Sequence, residues 1–119
     1  MGHQGEHHDA DLVLDEQTAK SVATTLQALA TPSRLMILAT LRHGPSTVGD
    51  LAQTVRMEPS AVSHQLRLLR NLGLVEGQRQ GRHIVYTLYD DHVAELIGQA
   101  VYHAEHARLG QLHARPTSR

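Results

Sequence analysis

The chain has 119 residues, 40% of them apolar, which fits one small domain with enough Leu, Val, Ile and Ala for a single core. The absence of cysteine excludes a disulfide framework and any thiolate metal site, and three Tyr with no Phe or Trp favour packed helices that share burial with a second copy. The net charge of −1 is unevenly spread, with seven arginines against three acids between Arg34 and Arg82, so a basic middle suited to DNA lies between acidic ends. No apolar run is long enough for a membrane span and no leader pattern opens the chain, so a cytoplasmic protein with no membrane partner is expected.

Ten histidines are the strongest compositional anomaly. Residues 1–14 read as a flexible His-rich tail, with Gly2, His3, His7 and His8 among its polar residues. Small Gly2 favours removal of Met1, and the exposed Gly2 amine with the His3 imidazole could then serve one metal ion. The bland alternative is a solvated tail.

Asp15 caps a helix with Ala19, Val22, Ala23, Leu26 and Leu29 at helical spacing. Thr31 caps the next, with Pro32 in its first turn, and Gly44-Pro45 stops it. Ser46 or Thr47 opens a short third helix that buries Val48, Leu51, Ala52 and Val55. After a turn at Arg56-Met57-Glu58, Pro59 opens a fourth helix to about Asn71, with Val62, Leu66 and Leu69 inside. Its remaining residues suit DNA: Ser60, Ser63 and Gln65 for base edges or phosphates, with His64, Arg67 and Arg70 beside them. Any amphipathic helix has a polar outer face, but this one carries no acid from Ser60 to Val75. A short helix, a tight turn and a second helix of this kind make a helix-turn-helix. Two strands follow around Gly81, and their basic tip makes a wing from which Arg79 and Arg82 reach phosphate or minor groove. The fold expected is mainly α with a small β-hairpin, a winged helix-turn-helix over residues 15–108, dimeric through its N- and C-terminal helices. Residues 109–119 read as a flexible tail.

The last helix, opened by Asp90 or Asp91, carries Val93, Leu96, Ile97, Ala100, Val101, Ala104 and Ala107 on one broad apolar face. His92, His103 and His106 line one edge of it. His103 and His106 stand one turn apart, whereas His92 sits about 16 Å away along the axis, too far to share an ion on one helix. Two such helices packed antiparallel across a two-fold would bring Asp90 and His92 of one beside His103 and His106 of the other. The alternative is that the histidines only pack the interface. An enzyme is not expected: His103-Ala-Glu-His106 lacks the H-E-x-x-H spacing, and no partnered nucleophile or phosphate loop stands out.

The stretches ALATPSRLMILATL (28–41), PSAVSHQLRLLRNLGLV (59–75), GRHIVYTLYDDHV (81–93) and YHAEH (102–106) resemble the ArsR/SmtB family of metal-responsive winged-helix repressors, over about residues 15–108. That resemblance implies a homodimer that occupies operator DNA without metal and releases it on metal binding. It also implies that Asp90, His92, His103 and His106 correspond to the interfacial ligands. The family's other common site, a Cys-x-Cys in the third helix, is missing from Ser46-Thr-Val-Gly-Asp50. Together with the Met-Gly-His opening, the chain is similar to nickel- and cobalt-responsive members, which extend the shell with nitrogen ligands from chain ends, although Arg108 stands where a further His would be sought. One carboxylate and three imidazoles satisfy tetrahedral Zn(II). Adding the Gly2 amine and His3 moves toward six nitrogen and oxygen ligands, which suits Ni(II) or Co(II) as effector.

Overall fold

A computed structural model describes residues 13–114, with side chains described as far as Gly110. The expectations for Gly2, His3, His7 and His8 lie outside the described residues. In chain order the elements are α1 (Glu16–Ala28), α2 (Pro32–His43), β1 (Ser46–Thr47), α3 (Val48–Val55), α4 (Pro59–Asn71), β2 (Val75–Gln80), β3 (His83–Leu88) and α5 (Asp91–Ala114). This is the winged helix-turn-helix arrangement. No helix among the described residues is long and apolar enough to cross a membrane.

Side-chain caps set most of the helix starts. Asp15 accepts from the Thr18 N–H at 2.7 Å, Thr31 from Arg34 at 3.4 Å and Thr47 from Asp50 at 3.2 Å. At the head of α5 the cap is Asp90, which accepts from the Val93 N–H at 3.1 Å. Each bond satisfies one of the donors that a helix start leaves open, worth about 1 kcal/mol. Helix α4 has no such bond, and its Glu58 cap is followed by Pro59, whose ring presets the first turn. Between α3 and α4 the chain turns at Arg56, which adopts a left-handed φ of 59°. Gly73 (φ 75°) ends α4 with its N–H on the Arg70 carbonyl at 2.9 Å.

The sheet has three strands rather than the two of a hairpin. Ser46 and Thr47 pair antiparallel with Tyr86 and Val85, giving the order β1-β3-β2. Two residues are too few to show a period, so β1 leaves no trace in the sequence beyond its turn signal. Helix α5 also differs from expectation, continuing through Gly110 to Ala114. A glycine inside a helix costs about 1 kcal/mol, which neighbouring helix formers can outweigh.

Ile37, Leu38, Leu51, Val62, Leu66, Leu69, Val75 and Ile97 are fully buried and draw α2, α3, α4, the sheet and the first turns of α5 into one core. No polar side chain is buried among the described residues. The outer helices are different. The apolar face of α5 is split: Val93 and Ile97 are buried against the protein's own core, while Leu96, Ala100, Val101, Ala104 and Ala107 are open. On α1, Ala28 and Leu29 at its C-terminal end are buried, but Val22, Ala23 and Leu26 are exposed.

Candidate nucleic-acid interface and metal centre

Helix α4 packs on α3 and β2 through Val62, Leu66 and Leu69, and this fixes which of its side chains face outward. Ser60, His64, Arg67 and Arg70 are exposed, and Arg79 and Arg82 are exposed at the wing tip. The wing turns at Gly81, whose φ of 64° suits a two-residue loop, and the Arg79 Nη1–H donates to the Gly81 carbonyl at 3.5 Å. Ser63 is half-buried in a crevice of about 280 Å³ where α4 meets the wing, with Thr47, Gly49, Arg82, His83 and Tyr86 around it. Of these, Thr47 and His83 carried no signal beyond capping and strand position. Gln65 stands apart from the outward set. It is half-buried on the flank of α4 facing α2, and its Oε1 accepts from the Arg34 Nε–H at 2.8 Å. One of the two lone pairs of Oε1 is thereby engaged within the protein, and the side chain is held toward α2.

At the other end of the molecule, Asp90 does two jobs at once. Its Oδ1 caps α5, while its Oδ2 lies 3.5 Å from the Nδ1 of His92. The Val93 N–H holds the Asp90 carboxyl below the usual carboxylate range, with the adjacent imidazole of His92 adding to the same direction. The group is therefore anionic at neutral pH, and the His92 ring beside it is open to solvent.

His103 and His106 are exposed on the distal half of α5. The His106 Nδ1–H donates to the Tyr102 carbonyl at 3.1 Å, and its ring lies against that of Tyr102 with centroids 3.9 Å apart. This bond turns the other ring nitrogen, Nε2, away from the α5 backbone. The structure thus brings Asp90 and His92 together, and His103 near His106, but keeps the two pairs apart. Among the described residues no three metal-binding side chains of one chain converge. Both pairs flank the uncovered half of the apolar face of α5. On the opposite side, the Arg42 guanidinium from α2 lies over Gly98, where a Cβ would come 2.8 Å from its Nη2.

Comparison with known proteins agrees with this architecture. Residues 31–77, from the α2 cap into β2, match the family described as bacterial regulatory protein, arsR family. The chain is 60% identical over 119 residues to the HTH-type transcriptional regulator NmtR of Mycobacterium tuberculosis, covering 99% of both chains. It is 40% identical over 93 residues to a transcriptional repressor SmtB homolog of Synechocystis, covering 78% of this chain and 70% of that one. Among solved structures, the solution structure of apo-NmtR superposes with a TM-score of 0.70 at 58% identity, covering 99% of this chain and 94% of that one. A homodimeric winged helix-turn-helix domain from Mycobacterium bovis superposes with a TM-score of 0.74 at 28% identity, covering 87% and 97%. With this fold, this outward basic face and relatives of this similarity, the chain belongs to the arsR family of bacterial regulatory proteins and is a transcriptional regulator rather than an enzyme.

Proposed function

We propose that the chain is a metal-responsive repressor that holds operator DNA as an apo homodimer and releases it when Ni(II) or Co(II) binds between the subunits. The observation that carries this reading is the placement of two half-sites at opposite ends of an uncovered apolar stripe on α5. Asp90 with His92 and His103 with His106 are about 16 Å apart on one helix, yet they come together when a second α5 runs antiparallel along the stripe. The open faces of α1 and α5 are the dimer seam in this reading, and the homodimeric relative from Mycobacterium bovis supports it. Metal response is also supported by a relative named as a cadmium resistance regulatory protein CadC homolog, 32% identical over 102 residues.

On DNA, the two α4 helices enter successive major grooves about 34 Å apart. Ser60, Ser63 and His64 face bases or phosphates, and Arg67, Arg70, Arg79 and Arg82 neutralise the backbone. Each phosphate contact contributes about −0.9 to the slope of log affinity against log salt. Metal binding across the seam selects a dimer geometry that fits the operator less well. By linkage, DNA weakens metal binding by the same factor, about 5–150-fold for typical allosteric pairs.

Four ligands from two α5 helices satisfy Zn(II), and the Zn(II) sensor is the second reading. Six-coordination through the Gly2 amine and His3 favours Ni(II) or Co(II). The absorption spectrum of the Co(II)-loaded protein separates the two: weak visible bands for six ligands, intense bands for four. Replacing His103 with Ala should abolish the loss of operator affinity on adding Ni(II) while leaving apo binding intact. Full metal response in that variant would remove His103 from the site.

A further inference from the structure

We propose that Arg34 is a positioning residue that locks the DNA-reading helix α4 to the end of α1 through Gln65. The proposal rests on the reading of the chain as a DNA-binding dimer and assigns Gln65 to the orientation of α4 rather than to base recognition. Arg34 lies half-buried in the first turn of α2, within hydrogen-bonding reach of both the end of α1 and the flank of α4. Its Nε–H donates to Gln65 Oε1 at 2.8 Å, and its Nη1–H donates to the Ala28 carbonyl at 3.4 Å. Leu29 and Ala30 place their N–H groups on the Leu26 and Gln27 carbonyls, so the arginine meets the next carbonyl in the last turn of α1.

A guanidinium is planar, with its donors in a fixed fork. One rigid group therefore holds the C-terminal end of α1 and the flank of α4 at a set separation. Helix α1 carries an uncovered apolar face at Val22, Ala23 and Leu26, so the fork ties the reading helix to an element of the seam. With the fork in place, the distance between the two α4 helices of a dimer follows from how the seam packs. Without it, α4 keeps its packing on α3 and β2 through Val62, Leu66 and Leu69 but loses its tie to α1, and the dimer tolerates a wider range of half-site spacings.

A double-mutant cycle in the full chain tests this. The variants are Arg34→Met, Gln65→Met, both together, and Gln65→Glu with and without Arg34→Met. The probe is the duplex that the unmodified chain selects from a random-sequence pool, alongside the same duplex with one base pair inserted between its half-sites. Each single Met variant should lose about tenfold in affinity for the selected duplex and much of its discrimination against the inserted one, and the double variant should be no worse than either. Glu at position 65 should keep affinity when Arg34 is present and lose it when Met replaces Arg34. Additive losses, or a Gln65→Met defect beside an Arg34→Met variant that binds normally, would overturn the proposal by placing Gln65 on the bases. Should Arg34→Met fail to fold by circular dichroism, the contrast between Glu and Met at position 65 decides alone: equal losses overturn the proposal, and retention by Glu supports it. An unmodified chain that selects no duplex overturns the DNA reading itself, and this inference with it.

Discussion

The helix-turn-helix with its wing and the pair of outer helices follow the same periodicity but complete their burial differently. From α2 through β3, the apolar positions predicted from sequence meet one another within the chain, and Leu66 and Leu69 on α4 are wholly withdrawn from solvent. On α1 and α5 the same kind of stripe is covered only in part: Ile97 is buried, while Leu26 is 49% and Val101 45% exposed. Helical spacing identifies which face is apolar and says nothing about whether the cover comes from the same chain or from another. The reading head is thus self-sufficient, and the outer helices depend on a partner.

The sharpest way to break that contrast is to damage each side separately. Leu66→Ala leaves a cavity in the closed core and should cost about 2–5 kcal/mol, read as a lower midpoint in urea unfolding with the oligomer intact at working concentration. Val101→Asp places a carboxylate on the open stripe of α5. It should leave the secondary structure unchanged by circular dichroism while shifting the protein toward monomer in sedimentation velocity, by tenfold or more in dissociation constant, about 1.4 kcal/mol or above. A Val101→Asp protein that remains as dimeric as the parent would show that this stripe is not the seam.

The smallest effect expected comes from acid. Asp90, and Asp15 at the head of α1, have carboxyls lowered by backbone N–H bonds, from Val93 and Thr18 respectively. A carboxyl lowered on folding contributes stability that is complete above its unfolded value, about 3.9, and is lost as pH falls through the folded value. Both caps should therefore hold at neutral pH and weaken only in strong acid. Asp90→Asn, which can still cap, should flatten that acid limb slightly in a pH series of thermal melts while removing the carboxylate beside His92.

Much of this was legible from residues alone. The caps at Asp15 and Thr31, the inner face of α4 and the turn at Gly81 follow from local chemistry that the fold then uses, while the structure chooses Thr47 over Ser46 and Asp90 over Asp91. Three features were not. Strand β1 is too short for a period, and Gly110 reads as a stop although its cost lies within what a long helix absorbs. Gln65 belongs by type with its polar neighbours Ser63 and His64, but it lies on the flank of α4 within reach of an arginine thirty-one positions earlier. Such a bond joins distant segments and leaves no local mark. The pairs proposed to hold metal, Asp90 with His92 and His103 with His106, could be picked out by their spacing, and the structure adds that the Tyr102 carbonyl accepts from the His106 ring.

The two-residue strand Ser46–Thr47 has a mechanical consequence. It hydrogen-bonds to β3 and passes straight into α3 through the Thr47 cap, so the hairpin is stapled to the front of the helix-turn-helix instead of hanging from its own base. The wing is thereby denied a hinge of its own. A shift of the helix-turn-helix would therefore carry the base of the wing with it, so grip on the groove and grip on the flanking backbone should slacken together.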